Sequence, residues 1–145
     1  MELPPGHRLF AEDRTDEADA ELLGLNLDVY NRGFLGETAY SRIGLFVRDE
    51  AGEIRAGLDG HVYAKWLFVA LLWVHADLRR RGVGRELLNR AEQEAVSRGC
   101  HSAWLDTFSF QAPEFYKKQG YVPFGAIQLP PGHSRIFLQK SLVQG

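Results

Sequence analysis

The sequence predicts an α/β domain, and three observations carry the prediction. The first is an uninterrupted apolar run of nine residues, Trp66 to Val74, of the length and β-rich composition of a buried strand. The second is a segment of helical period that starts a few residues later, at Gly82, and stops at Gly99. The third is the alternation of strand-like and helix-like stretches along 145 residues with no repeat, low-complexity tract or linker, which predicts a single domain over residues 1–145.

Leu3-Pro4-Pro5-Gly6 is a short lead-in, and His7 to Ala11 reads as a first strand. Thr15 is placed to cap a helix that begins at Asp16 and runs to about Tyr30, with Asp16, Glu17 and Asp19 in the first turn, where the helix dipole favours acids. Residues Asn31 to Tyr40 fit either a loop or a second short helix. Ile43 to Arg48 and Ile54 to Tyr63 read as strands joined by a turn at Asp49–Glu53, and Gly57 and Gly60 make the second strand irregular. Trp66 to Val74 is apolar at every position, so a central strand covered on both faces is expected. In the helix from Gly82 to Arg98, the residues Val83, Leu87, Leu88, Ala91 and Ala95 share one face. Glu86–Arg90 and Arg90–Glu94 are i,i+4 pairs on the opposite face. Ala103 to Thr107 is a further strand, Pro113 and Gly120 bound a short helix, and Tyr121–Ile127 and Arg135–Gln139 close the domain around a turn at Pro130-Pro131-Gly132.

Composition narrows the functional classes. Hydrophobic residues make up 45% and charged residues 25%, and nine Phe, five Tyr and three Trp provide ample surface to bury, which argues against disorder. The one cysteine, Cys100, excludes an internal disulfide and a cysteine zinc cluster. No metal site is expected. Nine apolar residues fall short of the roughly 20 that span a bilayer by helix. MELPPGHRLF lacks the pattern of a secretory signal, so a cytoplasmic protein without a membrane association is expected. Net charge is −2, divided as −7 over residues 1–64 and +5 over residues 65–145. A general nucleic-acid binder is usually basic throughout, so no nucleic-acid partner is expected, and only the second half is prepared for an anion.

The anion site follows from the stretch Leu72-Trp73-Val74-His75-Ala76-Asp77-Leu78-Arg79-Arg80-Arg81-Gly82-Val83-Gly84-Arg85. A strand ends, a loop follows, and a helix opens at two glycines. Such an opening leaves about four amides unpaired and carries roughly half a positive charge. Gly82 and Gly84 allow close approach to the backbone, and Arg79, Arg80, Arg81 and Arg85 add positive field, which suits a diphosphate. The same glycines are also compatible with a turn of purely structural purpose. No Gly-Lys-Ser/Thr follows, so this is not a nucleotide P-loop. Leu87 stands where a dinucleotide fingerprint has its third glycine.

Arg79-x-x-Gly82-x-Gly84 after a strand ending Leu72-Trp73-Val74 resembles the acetyl-CoA motif of the GNAT superfamily of N-acetyltransferases. The segment Gln111-Ala112-Pro113-Glu114-Phe115-Tyr116-Lys117-Lys118-Gln119-Gly120-Tyr121 is similar to that superfamily's next motif. The resemblance is strongest over residues 66–142. It implies a mixed, mostly antiparallel central sheet flanked by helices and splayed at the acetyl-CoA site. It also implies transfer of acetyl from acetyl-CoA to a primary amine of a small molecule or peptide, and it leaves a homodimer possible. Backbone groups of Trp73 and Val74 would hold the pantetheine and thioester, and the amides from Arg80 to Arg85, Val83 among them, would cradle the pyrophosphate. Tyr116 would be the general acid for the departing thiolate. Two departures from the family pattern stand out. Ser109 replaces an asparagine expected to contact the pantetheine, and its hydroxyl, though shorter, would still bind the pantetheine there; Phe68 stands where some members carry a catalytic glutamate.

A base, if one is used, is then sought among Glu37, Asp59, His61, His75 and Asp106. Cys100 has no activating base beside it in the sequence, so direct transfer governed by positioning is expected. Candidates for the acceptor pocket are Asn26, Tyr30, Asn31, Phe34, Glu37, Tyr63, Trp66, Phe68, Phe108 and Phe110. The competing reading is a non-catalytic acyl-CoA-binding sensor or interaction module.

Overall fold

A computed structural model describes residues 1–143. The chain divides into two compact units, Met1–Glu37 and Thr38–Gly145.

In the first unit, helix α1 spans Glu17–Leu35. Its N-cap is Asp16, whose carboxylate accepts the Ala18 amide at 2.8 Å; the expected capping residue, Thr15, lies one position too early. Asp is as good a cap as Thr and sits where the acidic first turn begins. The helix continues through Asn31–Leu35 because an Arg32–Asp28 ion pair at 2.8 Å and a Tyr30–Phe34 ring contact at 5.3 Å support its last turns. It ends at Gly36, whose φ of 73° a side chain would resist. The strand expected at His7–Ala11 does not form. Strands need a hydrogen-bonded neighbour, and all six strands of the described residues lie between Ser41 and Ser141.

The second unit is a six-stranded sheet with two helices. Strands β1 (Ser41–Arg48), β2 (Ile54–Tyr63) and β3 (Trp66–Val74) form an antiparallel meander. A 3₁₀ turn at Ala76–Leu78 leads to α2 (Val83–Ser97), and β4 (Ser102–Phe108) then returns parallel to β3. Helix α3 (Pro113–Lys118) and the antiparallel pair β5 (Val122–Leu129) and β6 (His133–Ser141) complete the order β1-β2-β3-β4-β6-β5. No helix among the described residues is long and apolar enough to cross a membrane.

The core lies between α2 and the sheet. Leu87, Leu88, Ala91 and Ala95 of α2 pack with Ile43, Leu58, Leu67, Val69, Leu105 and Leu138. Glu92 is also buried on that helix, and it explains why the chain tolerates a carboxylate there. Its two oxygens accept from Lys140 Nζ at 2.7 Å and from the Tyr121 hydroxyl at 2.8 Å, so α2 is tied to β6 and to the residue that follows α3. On the wet face Glu86–Arg90 pairs at 2.8 Å. The second pair joins Glu94 to Arg98 rather than to Arg90, whose Nε is already committed to Glu86.

Strand β3 departs from the expectation of two covered faces. Only Leu67 and Val69 are buried, and Leu71 and Trp73 are 67% and 48% exposed. The cause is a register shift opposite Asp59/Gly60, where Leu71 pairs with Asp59 and Val69 with Gly60, leaving Ala70 as an extra residue. Such a bulge reverses which residues face the core. Before it Leu67 and Val69 point inward, and after it Leu72 and Val74 do. Gly60 makes this possible, since a Cβ there would collide with the Phe68 carbonyl oxygen.

Two outcomes test this account. Gly60→Ala should lower unfolding free energy by about 1–3 kcal/mol in urea titration, as forced overpacking does. Lys140→Met should cost about 3 kcal/mol by stranding the Glu92 charge. The double variant with Glu92→Gln should recover most of that loss, because Gln keeps an acceptor for Tyr121.

Candidate active site

Parallel pairing of β3 with β4 covers only Trp66–Val69 against Ser102–Leu105. Beyond it the strands separate. β4 continues against β6 through Phe108, and β3 continues against β2 through Val74. The gap is a cleft of about 570 Å³ walled by β3 from Val69 to Val74, by Asp106 and Thr107 of β4, and by Phe110, Gln111, Ala112 and Tyr116.

The free edge of β3 can be read from its neighbours. The His75 amide donates to the Arg55 carbonyl at 2.8 Å, on the β2 side. Peptide groups alternate along a strand, so Trp73 and Leu71 also face β2, while Leu72 and Val74 face the gap. The Val74 carbonyl accordingly receives the Arg79 Nε at 3.1 Å. The expected backbone pair Trp73 and Val74 is thus replaced, on the gap side, by Leu72 and Val74. Trp73 still lines the cleft as a residue, while its backbone pairs with Gly57 of β2.

A second cleft of about 540 Å³ adjoins the first and shares Leu72, Val74, Arg79, Ala112 and Tyr116 with it. Its far end is the opening of α2, with Arg80, Gly82, Val83, Gly84 and Arg85. Arg80 and Gly82 both have positive φ, 62° and 80°, which turns the loop sharply into the helix. The first intrahelical bond runs from the Glu86 amide to the Gly82 carbonyl at 3.0 Å, so the amides from Gly82 to Arg85 precede the ladder. No side chain caps them. Gly82 has open space where a side chain would stand, and a Cβ on Gly84 would lie 3.5 Å from the Phe115 ring. Arg81 turns away, its Nε donating to the Asp77 carbonyl at 3.3 Å. The site therefore joins the open start of a helix to a strand edge with no neighbouring strand.

Tyr116 stands where the two clefts meet. Pro113 starts its short helix, and the ring is 8% exposed, edge-on to Phe115 and Tyr121. Burial first, and then the Asp106 charge, push its phenol up to about 12. Ser109 does not line either cleft. Its hydroxyl oxygen accepts the Ser134 amide at 2.9 Å and so fastens the end of β4 to β6. Gln111, which the sequence reading did not single out, lines the cleft. Its side-chain oxygen accepts from the Phe108 amide at 2.9 Å and from the Thr107 hydroxyl at 3.2 Å, leaving its NH2 group as a donor.

Of the base candidates, only Asp106 lines the cleft. Arg135 holds both of its oxygens, through Nε at 2.8 Å and Nη2 at 2.9 Å. Asp59 pairs with Arg42 at 2.9 Å. His61 lies between Tyr40 and Phe68, with its pKa lowered by burial. His75 caps the 3₁₀ turn by accepting the Asp77 amide at 3.1 Å. Glu37 belongs to the first unit, as do Asn26, Tyr30, Asn31 and Phe34. Trp66 and Phe68 lie on the paired half of β3, Phe68 stacked on Trp104 at 4.2 Å, and Tyr63 ends β2. Phe108 stacks on Phe110 at 5.3 Å, which puts only Phe110 in the cleft. No group of three or more potential metal ligands occurs among the described residues.

Arg79→Ala should free the loop between the strand and α2. Exchange of the Leu78–Gly82 amides, followed by mass spectrometry, should quicken about tenfold for a lost bond worth about 1 kcal/mol, with little change in global stability.

Comparison with known proteins places this architecture. Residues 7–121 match the model of the acetyltransferase (GNAT) family. The acetyltransferase Atu2258 of Agrobacterium fabrum is 34% identical over 130 residues, covering 87% of this chain and 95% of that protein. A blasticidin-S acetyltransferase of Streptomyces morookaense is 44% identical over 95 residues, covering 64% and 70%. The crystal structure of an acetyltransferase from Bacillus cereus superposes with a TM-score of 0.77 at 34% identity, over 91% of this chain and 97% of the other. With its split sheet and open helix start, this chain belongs to the GNAT family of acetyltransferases.

Proposed function

We propose that this protein moves the acetyl group of acetyl-CoA directly onto a primary amine. The observation that carries the reading is the continuity of the two clefts, from the free amides of α2 to the gap between β3 and β4, with Tyr116 at their junction. The fit to acetyl-CoA rests on features of the same trough. Gly82 leaves open the space that a side chain would fill, and no side chain caps the amides beside it.

The chain's own groups divide the work. The amides from Gly82 to Arg85 hold the pyrophosphate, with Arg80 and Arg85 adding field. The edge of β3 at Leu72 and Val74 receives the pantetheine as it would a neighbouring strand. Gln111 takes over the amide contact expected from the position of Ser109, which instead keeps the loop in place. An amide of that same edge, Val74 or Leu72, faces the thioester oxygen and stabilises the negative charge it gains. Cys100 is buried at 2% exposure and its thiol is pushed up by burial, which supports direct transfer over an acyl-enzyme.

Tyr116 acts on the leaving thiolate. A thiol of ordinary pKa near 8.5 is a stronger acid than a phenol near 12, so full proton transfer from Tyr116 is uphill by about 5 kcal/mol. Its larger contribution is therefore a hydrogen bond donated to sulfur as charge develops there. A bond of that kind is worth about 1.5–3 kcal/mol. The acceptor is an amine of a small molecule or peptide. Blasticidin S, the compound named for the Streptomyces relative, serves as a reference acceptor in testing this.

The test is thiol release from acetyl-CoA together with calorimetry. Wild type should bind acetyl-CoA, and failure to bind would end the reading. Tyr116→Phe should lower kcat by about 10- to 100-fold and leave acetyl-CoA affinity within about twofold. If the variant binds and turns over like wild type, Tyr116 has no part in the chemistry. The pH dependence has a definite sign. A phenol raised to about 12 in the fold stays protonated and favours the folded state below its unfolded value of about 10. That stability is lost as pH climbs from about 10 to about 12. No descending limb of kcat below about pH 11 should therefore come from Tyr116, and any decline near pH 9 should persist in Tyr116→Phe.

A further inference from the structure

The cleft opens through the sheet, and its far mouth has a composition of its own. The mouth lies on the face away from α2, where Leu71 and Trp73 of β3 stand 67% and 48% exposed and Phe110 stands 62% exposed. Phe110 is held in plane by Phe108, whose ring is parallel to within 7° at 5.3 Å, and its edge meets His133 at 5.0 Å. Among the described residues lining this cleft, Asp106 is the one carboxylate, and Arg79 is the one cation, already donating to Val74. Trp104, two residues before Asp106 on β4, shares the face of the sheet that Asp106 occupies, and Phe137 on β6 is the register partner of Asp106.

We infer that the acceptor is an amine with a single positive charge carried on a flat aromatic body. Its nitrogen is anchored at Asp106, and its ring lies between Trp73 and Phe110. This specifies the acceptor of the acetyl transfer proposed above and rests on that reading.

Charge count decides the class. A polyamine or an aminoglycoside brings several ammonium groups, each needing a partner once it leaves water, and this cleft offers one carboxylate. Apolar rings flank that carboxylate, and rings attract a cation as well as an aromatic body. Asp106 is suited to the anchor. An ionised carboxylate has about four acceptor sites, and the Arg135 fork uses one on each oxygen, fixing the group while leaving sites for an ammonium. The amine arrives as an ammonium and loses one proton to water before it attacks. As the N–C bond forms, the nitrogen becomes positive again beside Asp106. The C–S bond then breaks, the thiolate leaves against Tyr116, and the second proton passes from nitrogen to solvent.

The experiment is a comparison of kcat/KM for 2-phenylethylamine, 2-cyclohexylethylamine, spermidine and kanamycin, with acetyl-CoA affinity measured separately by calorimetry. 2-Phenylethylamine should exceed spermidine and kanamycin by tenfold or more and the cyclohexyl analogue severalfold. Asp106→Asn should raise the amine KM tenfold or more and leave acetyl-CoA affinity unchanged. Since Asp106 also holds Arg135, a second variant is needed. Trp73→Leu, at an exposed side chain, should abolish the preference for the aryl over the cyclohexyl amine. Equal or better use of spermidine or kanamycin overturns the inference and leaves acetyl transfer standing. An unchanged aryl preference in Trp73→Leu, or an unchanged amine KM in Asp106→Asn, does the same. Absence of acetyl-CoA binding by wild type removes both.

Discussion

Two neighbouring strands of this protein part company after four residue pairs, Trp66–Val69 against Ser102–Leu105. A sheet normally continues such a ladder, because unpaired peptide groups in its interior are costly. Here the parting is built in. The extra residue at Ala70 adds local twist to β3, and the end of β4 is held by β6 through the Asp106–Arg135 fork and the paired Ser109 and Ser134 backbones. β3 therefore carries a strand edge with no strand to meet it. A linear ligand with alternating amides is the natural complement to that edge, and the open start of α2 lies where such a ligand's anionic end would emerge.

Holding the two halves apart requires a rigid backing. Helix α2 supplies it by packing across the sheet, and the Glu92–Lys140–Tyr121 cluster locks the helix to β6. The same backing sets the chemistry of Tyr116. Pressed against Phe115 and Tyr121, its phenol loses solvent and keeps its proton, which makes it a durable donor and a reluctant acid.

Legibility in the sequence followed sequence distance. The Ile54–Tyr63 and Trp66–Val74 strands have the bounds expected of them, because composition and turn residues mark them locally. The helix start at Gly82 was legible for the same reason, as was the short helix bearing Tyr116. The family and fold expected from the two motifs are those found. What stayed hidden depends on partners. The bulge at Ala70 arises from a glycine ten residues earlier, and it moved Leu71 and Trp73 to the exposed face of a strand that reads as wholly buried. The Asp106–Arg135 fork joins residues 29 apart, and no local pattern marks it. Ser109 was matched to a ligand contact by position, yet a backbone amide on β6 claims its oxygen. At His7–Ala11 a first strand was expected, but no neighbouring strand pairs with it and no strand forms.

The place of β6 has a consequence for how the molecule comes into being. It is the last strand to be made among the described residues, yet it lies inside the sheet, between β4 and β5. Until residues 133–141 leave the ribosome, β4 has an open flank, β5 has no neighbour at all, and Lys140 is not there to neutralise Glu92. A chain lacking this strand would leave the flank of β4 and the whole of β5 unpaired, and unpaired strand edges are prone to aggregation. The strand that pairs both flanks also brings Arg135 to Asp106, so the wall of the cleft is completed by the same element.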